Sequence, residues 1–255
     1  MIVARSIAEL NVPNHGVVAL VPTMGALHGG HRALLRAARA ACDVLVVSDF
    51  VNPAQFADDA DLGAYPRDLE HDESVARSEG VDIVFAPSAE EMYPPGFATW
   101  VEPGGAAEGL EGAHRPGHFR GVATVCLKLF NIVRPQVAWF GQKDAQQVAV
   151  LRRLVRDLNL DVEIRVVDTV RDADGLALSS RNAHLSPAER EQAGAIPRAL
   201  ATRDAEAARA VLVAAGLEPD YVTVADFDGP TLVLAARVGT TRLIDNIPLR
   251  EGASP

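Results

Sequence analysis

Val18-Ala-Leu-Val-Pro-Thr-Met-Gly-Ala-Leu-His-Gly-Gly-His31 is the stretch around which the rest of the chain is organised. The apolar run from Val17 to Val21 has the length and composition of a buried strand, and Pro22 is expected to end it. Gly25, Gly29 and Gly30 then supply a turn that lets backbone approach a ligand closely. Helical spacing follows from His31, with Leu34, Leu35, Ala38 and Cys42 on one face. Strand, glycine turn and helix in that order put the free N–H groups and the positive end of the helix dipole at the turn, which favours phosphate. His28 and His31 stand three residues apart at the same spot, and both can donate hydrogen bonds to one anion. Two histidines at this spacing are by themselves equally consistent with exposed polar residues or a chance metal pair. The strand and glycines around them point to a nucleotide. The turn carries neither G-x-G-x-x-G nor G-K-[ST], so it is neither a dinucleotide fingerprint nor a P-loop.

The chain has 255 residues, 48% of them hydrophobic, and a formal net charge of −10. That is enough for a sizeable core and for one large domain, alone or with a small one. No apolar run approaches the ~20 residues of a membrane span. Met1 to Leu10 lacks the basic stretch and apolar core of a secretory signal. The acidic balance argues against a general nucleic-acid or anionic-membrane binder, and is compatible with a local basic pocket for ATP. Cys42 and Cys126, the only cysteines, sit at apolar helical positions, which predicts buried free thiols and a cytoplasmic protein.

Val44 to Phe50 reads as a second strand, and Asn52 and Gln55 follow in Phe50-Val-Asn-Pro-Ala-Gln-Phe56. In open α/β sheets ligands bind past the carboxyl ends of the strands, although Asn-Pro is also ordinary turn chemistry. Asp58 to Leu62 is expected to be a polar loop. Tyr65-Pro-Arg-Asp68 opens a helix to about Glu79, whose Asp68, Glu70, Asp72 and Glu73 suit its N-terminal end. Val81 to Phe85 is a third strand. Glu91 to Gly117 is irregular, and so long a loop is usually functional. Within Glu111 to Gly121, His114, Arg115, His118 and Arg120 make either a solvated basic loop or a wall over an anionic pocket. Val122, Val125, Cys126, Leu129 and Val133 recur at helical spacing over Gly121 to Val133.

Val137 to Phe140 is a fourth strand and delivers Gly141-Gln-Lys-Asp-Ala-Gln-Gln147. Lys143 is a point charge suited to phosphate. Asp144 is an acceptor suited to ribose hydroxyls and to helix capping, and Gln147 shares its helix face. Leu151 to Leu158 completes that helix, and Val162 to Val167 is a fifth strand. The alternation over residues 1–169 predicts an α/β, Rossmann-like domain with a parallel sheet covered on both faces. In Val170 to Asn182, Gly175 marks a turn, and Ser179, Ser180 and Arg181 offer hydroxyls and a guanidinium suited to phosphate. Ser186-Pro-Ala-Glu189 is a capped helix start. Helical sequence continues, interrupted near Pro197, to about Ala215. Tyr221–Phe227, Thr231–Val238 and Thr241–Leu249 read as strands. Residues 170–255 are therefore expected to form a smaller α+β domain that could close over the first as a lid.

His28-Gly-Gly-His31 resembles the H-x-G-H signature of the nucleotidyltransferase superfamily. The longer Pro22–His31 string is similar to the pantothenate synthetase family, the AMP-forming ligases of pantoate and β-alanine. Phe50-Val-Asn-Pro-Ala-Gln-Phe56, Arg115-Pro-Gly-His-Phe-Arg-Gly-Val122, Gly141-Gln-Lys-Asp144 and Asp174-Gly-Leu-Ala-Leu-Ser-Ser-Arg-Asn182 extend the likeness along the chain. The resemblance implies ATP contacts at Pro22, Met24, Gly25, Ala26, Leu27, His28, Gly29, Gly30 and His31. Further ATP contacts are implied at Gly141, Gln142, Lys143, Asp144, Val170, Leu178, Ser179, Ser180 and Arg181. Pantoate and β-alanine fall to Thr23, Met24, Asn52, Gln55 and Gln147, with Gln55 touching both substrates and Val122 and Val125 walling the pantoate dimethyl group. Asp72 aligns with a carboxylate near Mg²⁺, while His71 stands where relatives also carry carboxylates.

His28, His31 and Lys143 are the catalytic candidates on this resemblance, with His31 as proton donor. The family motif commonly reads G-E-K-D followed by an aromatic residue, so Gln142 and Ala145 imply altered packing. A homodimer formed through the larger domain is implied as well. The implied reaction makes pantoyl adenylate from ATP and pantoate, then passes the acyl group to β-alanine. It needs positioning and charge stabilisation, with no protein nucleophile. Two rivals are a dinucleotide- or cytidylyl-forming transferase and a non-catalytic nucleotide sensor. The amides Asn52, Gln55 and Gln147 argue against the first. Retention of His28, His31, Lys143 and Arg181 argues against the second.

Overall fold

Val18 and Leu20 pack into one set of buried side chains, Ala19 and Val21 into another. The same alternation divides Val44 and Val46 from Leu45 and Val47, the period-two pattern of strands covered on both faces. The computed structural model describes residues 1–13, 15–56 and 59–249, of which 59–61 by backbone alone. They divide into two compact units: Met1–Phe140 with Gln146–Val167, and Gly141–Ala145 with the chain from Asp168 onward.

In chain order the first unit contributes β1 (Ile2–Ala4), β2 (Val18–Thr23), α1 (Gly29–Arg39), β3 (Val44–Asp49), α2 (Asp59–Ala64), α3 (Leu69–Ser78) and β4 (Ile83–Phe85). It continues with α4 (Ala89–Met92), α5 (Leu110–His114), α6 (His118–Val133), β5 (Val137–Gly141), α7 (Ala145–Asp157) and β6 (Glu163–Val167), whose junction at Gly141–Ala145 groups with the second unit. The sheet order is β1-β4-β3-β2-β5-β6. The ladders from β1 through β4, β3 and β2 to β5 are parallel. Side chains of α6 and α7 cover one face, and those of α1 and α3 the other.

Pro22 does not end its strand. It lies inside β2, paired in register with Ser48. The carbonyls of Val17 and Thr23 accept from the Val44 and Phe50 amides, while that of Val18 accepts from Gln136. Odd residues of β2 therefore face β3 and even ones face β5. The β5 ladder reaches only Leu20, so the Pro22 nitrogen falls beyond it and no ladder bond is lost.

The expected loop after Asp58 is a short helix, α2; Asp58 itself is outside the described residues. Helix α1 starts at Gly29 and stops at Arg39, so Cys42 lies past its end and is only half-buried, whereas Cys126 is buried as expected. The "irregular" stretch after Glu91 holds α5 and a single 3₁₀ turn, Gly105–Ala107.

The second unit adds α8 (Pro187–Ala193), α9 (Ala195–Ala201), α10 (Ala205–Ala214), β7 (Glu218–Asp226), β8 (Pro230–Val238) and β9 (Thr241–Pro248). The strands form an antiparallel sheet in sequence order. Ser186 and Glu189 close a capping box at α8. The break expected near Pro197 falls instead at Gly194 and at Thr202–Asp204, since Pro197 sits in the first turn of α9, where no amide donor is needed. Ile196, Leu200, Leu212, Leu232 and Leu234 form a separate core.

Candidate active site

Beyond β2 the glycine turn is held by residues of β3 and α3. The Thr23 hydroxyl donates to the Ser48 carbonyl (2.6 Å) and accepts from the Gly25 amide (3.2 Å). Gly25 has φ +76, and a Cβ there would collide with the Asp49 carboxylate, so only glycine fits. Asp72, buried on α3, accepts from the amides of Ala26 and Leu27, each at 2.7 Å.

The two histidines cap α1 reciprocally. The Gly30 amide donates to His28 Nδ1 (3.1 Å), and the His28 amide donates to His31 Nδ1 (3.2 Å). Their ring centroids are 4.2 Å apart. A nitrogen that accepts carries no proton, so each imidazole is held as the Nε2–H tautomer. The capping box usually made by Ser and Glu is here made by two imidazoles, and the helix start gains two oriented donors.

Asp49, in the strand beside this turn, has a buried Oδ2 without a hydrogen-bond partner. Burial first, then the neighbouring Asp72 carboxylate and Glu73, push its carboxyl up to about 7. Carboxylate oxygens are the donor type Mg²⁺ takes. Asp72 keeps one lone pair on each oxygen after its two backbone bonds, and the Asp49 carboxyl is its neighbour. The donor type therefore fits a hard divalent cation. Among the described residues no group of three or more His, Cys, Asp or Glu side chains is assembled for one, so remaining ligands would have to come from phosphate and water.

A second cluster surrounds Gln55. Asn52 is 1% exposed. Its Oδ1 accepts from the Ala54 amide (3.2 Å) and the Tyr93 hydroxyl (2.9 Å), and its Nδ2 donates to the Gly121 carbonyl (3.1 Å) and Gln55 Oε1 (2.8 Å). That exhausts the amide's two donors and two acceptors. His118 Nδ1 donates to the Gln55 carbonyl (3.1 Å), while Arg115 donates to His118 Nε2 (3.1 Å). Helix α6 rides directly on this turn, because a Cβ on Gly121 would collide with the Ala54 carbonyl. Val122 and Val125 are core residues of α6, 2% and 6% exposed. The basic side chains expected to face an anion are in part structural: Arg120 lies over Trp100 (4.4 Å) and pairs with Glu102, and His118 is buried.

In the second unit, Asn246 Nδ2 donates to the carbonyls of Gln142 (3.0 Å) and Lys143 (2.9 Å), and the Gln142 amide donates back to Asn246 Oδ1 (3.2 Å). Gln142 is thus a packing residue of this loop, and Lys143 Nζ stands 3.8 Å from Asp144. Val170 and Leu178 are joined by a backbone bond of 2.9 Å across the Gly175 turn. That turn is braced by Arg190 on Asp172 and Asp174. It leads into Ser179, which caps the 3₁₀ turn of Ser180 and Arg181. Gln147 stays half-exposed on α7.

Three residues escaped the sequence reading. Asp49 is a lone acid closing an apolar strand, a signal that was visible. Gln146 pins the long loop by accepting from the Glu111 amide (2.9 Å) and donating to the Ala106 carbonyl (3.0 Å), and nothing distinguishes it in sequence from Gln147. Tyr93 comes from a segment with no motif.

Against known proteins, the model of the pantoate-beta-alanine ligase family matches residues 3–248. A pantothenate synthetase of Roseiflexus castenholzii is 52% identical over 91% of this chain and 92% of its own. One of Mycolicibacterium smegmatis is 54% identical over 93% and 82%. The crystal structure of pantothenate synthetase from Thermus thermophilus superposes with a TM-score of 0.93 at 44% identity, covering 97% of this chain and 99% of that one. A pantoate-beta-alanine ligase from Francisella tularensis, complexed with beta-gamma ATP and beta-alanine, gives 0.88 at 37% identity, with 97% of each chain covered.

Proposed function

The chain belongs to the pantoate-beta-alanine ligase family, and from that premise we propose how its own residues carry the reaction, the ATP-dependent condensation of pantoate with β-alanine. The pantoate carboxylate attacks the α-phosphorus of ATP and expels pyrophosphate. The β-alanine amine then attacks the carbonyl of the resulting pantoyl adenylate and expels AMP. The substrates supply both nucleophiles. The chain supplies position and charge.

The observation that carries this reading is the histidine-capped start of α1. Its imidazoles, fixed as Nε2–H donors beside a helix N-terminus, suit the charge that grows on the phosphates, with His31 acting as a neutral hydrogen-bond donor to it. The backbone of Pro22–Gly30 follows the nucleotide. Gln55 and Gln147 hold pantoate and β-alanine, Asn52 acts through Gln55, and Thr23 and Met24 border them. Val122 and Val125 wall the dimethyl group. In the second unit Lys143 neutralises phosphate charge, Asp144 takes ribose hydroxyls, and Ser179, Ser180 and Arg181 take phosphate oxygens. Asp72 would hold Mg²⁺, which neutralises phosphate charge when bound. Cys126 is no nucleophile: burial pushes its thiol up to about 12. We place the protein in the cytoplasm, on its unpaired thiols, as a homodimer.

Pyrophosphate release tests the reading. It is expected to require pantoate and not β-alanine, with pantoyl adenylate retained until β-alanine is added. Pantoate-independent release, or a covalent acyl-enzyme in the intact mass, would overturn it.

A further inference from the structure

The orientation of the Asn52 amide is fixed by backbone at both its oxygen and its nitrogen. Its Oδ1 faces the Ala54 amide, which can only donate, and its Nδ2 faces the Gly121 carbonyl, which can only accept. The amide therefore has one permitted orientation. Its remaining N–H points at Gln55 (2.8 Å), so the Gln55 atom there must be an acceptor, Oε1. Gln55 Nε2 is then turned away from Asn52, and it bonds no described residue. Gln55 thus presents donors, and the substrate atoms it meets are acceptors: carboxylate or hydroxyl oxygens, and not an ammonium group.

The fourth bond of Asn52 comes from Tyr93, 41 residues away (2.9 Å). Tyr93 follows α4, and its ring is clamped: stacked on Trp100 at 5.7 Å, edge-on to Phe97 at 5.1 Å and tilted against Phe50 at 6.3 Å. The Trp100 ring is engaged in turn by Arg120. Burial raises the Tyr93 hydroxyl above its usual range, so it stays a donor. A hydroxyl held this firmly has one acceptor to serve.

We infer that Tyr93 is a positioning residue for the condensation: through Asn52 it holds the Gln55 amide with its N–H₂ facing the acceptor oxygens of pantoate. The inference rests on Gln55 being a substrate-binding amide, as proposed above. Without the Tyr93 hydroxyl, Asn52 keeps the sense set by its backbone partners but loses one of the two bonds on Oδ1 and gains freedom to tilt, and the Gln55 amide is held less firmly. The ATP site has no part in this chain of bonds.

Tyr93→Phe removes only the hydroxyl. It is expected to raise KM for pantoate about five- to tenfold, the scale of one hydrogen bond, leaving KM for ATP and the melting temperature close to the parent values. Gln55→Ala should raise KM for pantoate further, and the Tyr93→Phe/Gln55→Ala double variant should be no worse than Gln55→Ala alone. Gln55→Glu should be worse than Gln55→Ala, because Asn52 would hold one oxygen and turn the other, charged, toward an anionic substrate. An unchanged pantoate KM in Tyr93→Phe, or effects that add in the double variant, would overturn the role of Tyr93. Improved β-alanine use in Gln55→Glu would overturn the donor-outward sense. An unchanged pantoate KM in Gln55→Ala would instead overturn the assignment of Gln55 itself.

Discussion

Asp49 shows how a single side chain can set a pH response. Its folded carboxyl titrates near 7 because it is buried against Asp72, while in the unfolded chain it titrates near 4. Between those values the folded protein holds a proton that the unfolded chain has released. Stability therefore falls as pH rises from about 4 to about 7 and is level above, at about 1.4 kcal/mol per unit of difference in pKa. Asp49→Asn removes the titration. Denaturant unfolding in the presence of EDTA is expected to show a flatter profile across that window and higher stability at pH 8 than the parent. A parent-like slope in the variant would show that another group carries the proton. Gly25 shares the same few ångströms, so any larger residue there would force the two carboxylates out of place.

At the scale of elements, the contact of α6 with the Asn52–Gln55 turn is the least forgiving joint. Gly121→Ala places a methyl group on the Ala54 backbone. It is expected to cost about 1–3 kcal/mol of stability and to raise KM for pantoate while sparing ATP, measured by denaturation and initial rates. What was legible in the sequence follows from the same packing. Buried parallel strands announce themselves as apolar runs, as Val44 to Val47 does in β3, and the glycine turn after β2 as glycines flanking histidines. Strand β1 was not marked because Ile2–Ala4 is three residues long and pairs with β4, about 80 residues on. The end of β2 was misjudged because the cost of a proline depends on which side its nitrogen faces, a property of neighbouring strands. Tyr93 and Gln146 were invisible for a like reason: each acts on backbone or amides brought near only by the fold.

Over the whole molecule, an assembly through the larger unit would double the 27.1 kDa chain. Light scattering at micromolar concentration is expected to give about 54 kDa, the C₂ dimer being the commonest closed assembly; a value near that of one chain would overturn the dimer. The second unit is discontinuous, because Gly141–Ala145 group with residues that come much later in the chain. Asn246, whose amide clasps the Lys143 carbonyl, is about one hundred residues further on. At roughly 5–20 residues per second of synthesis, the loop bearing Lys143 leaves the ribosome some 5–20 s before its clasp. The Lys143 loop is thus translated early and clasped late. A chain terminated anywhere between those two codons would carry the Lys143 loop without its Asn246 clasp.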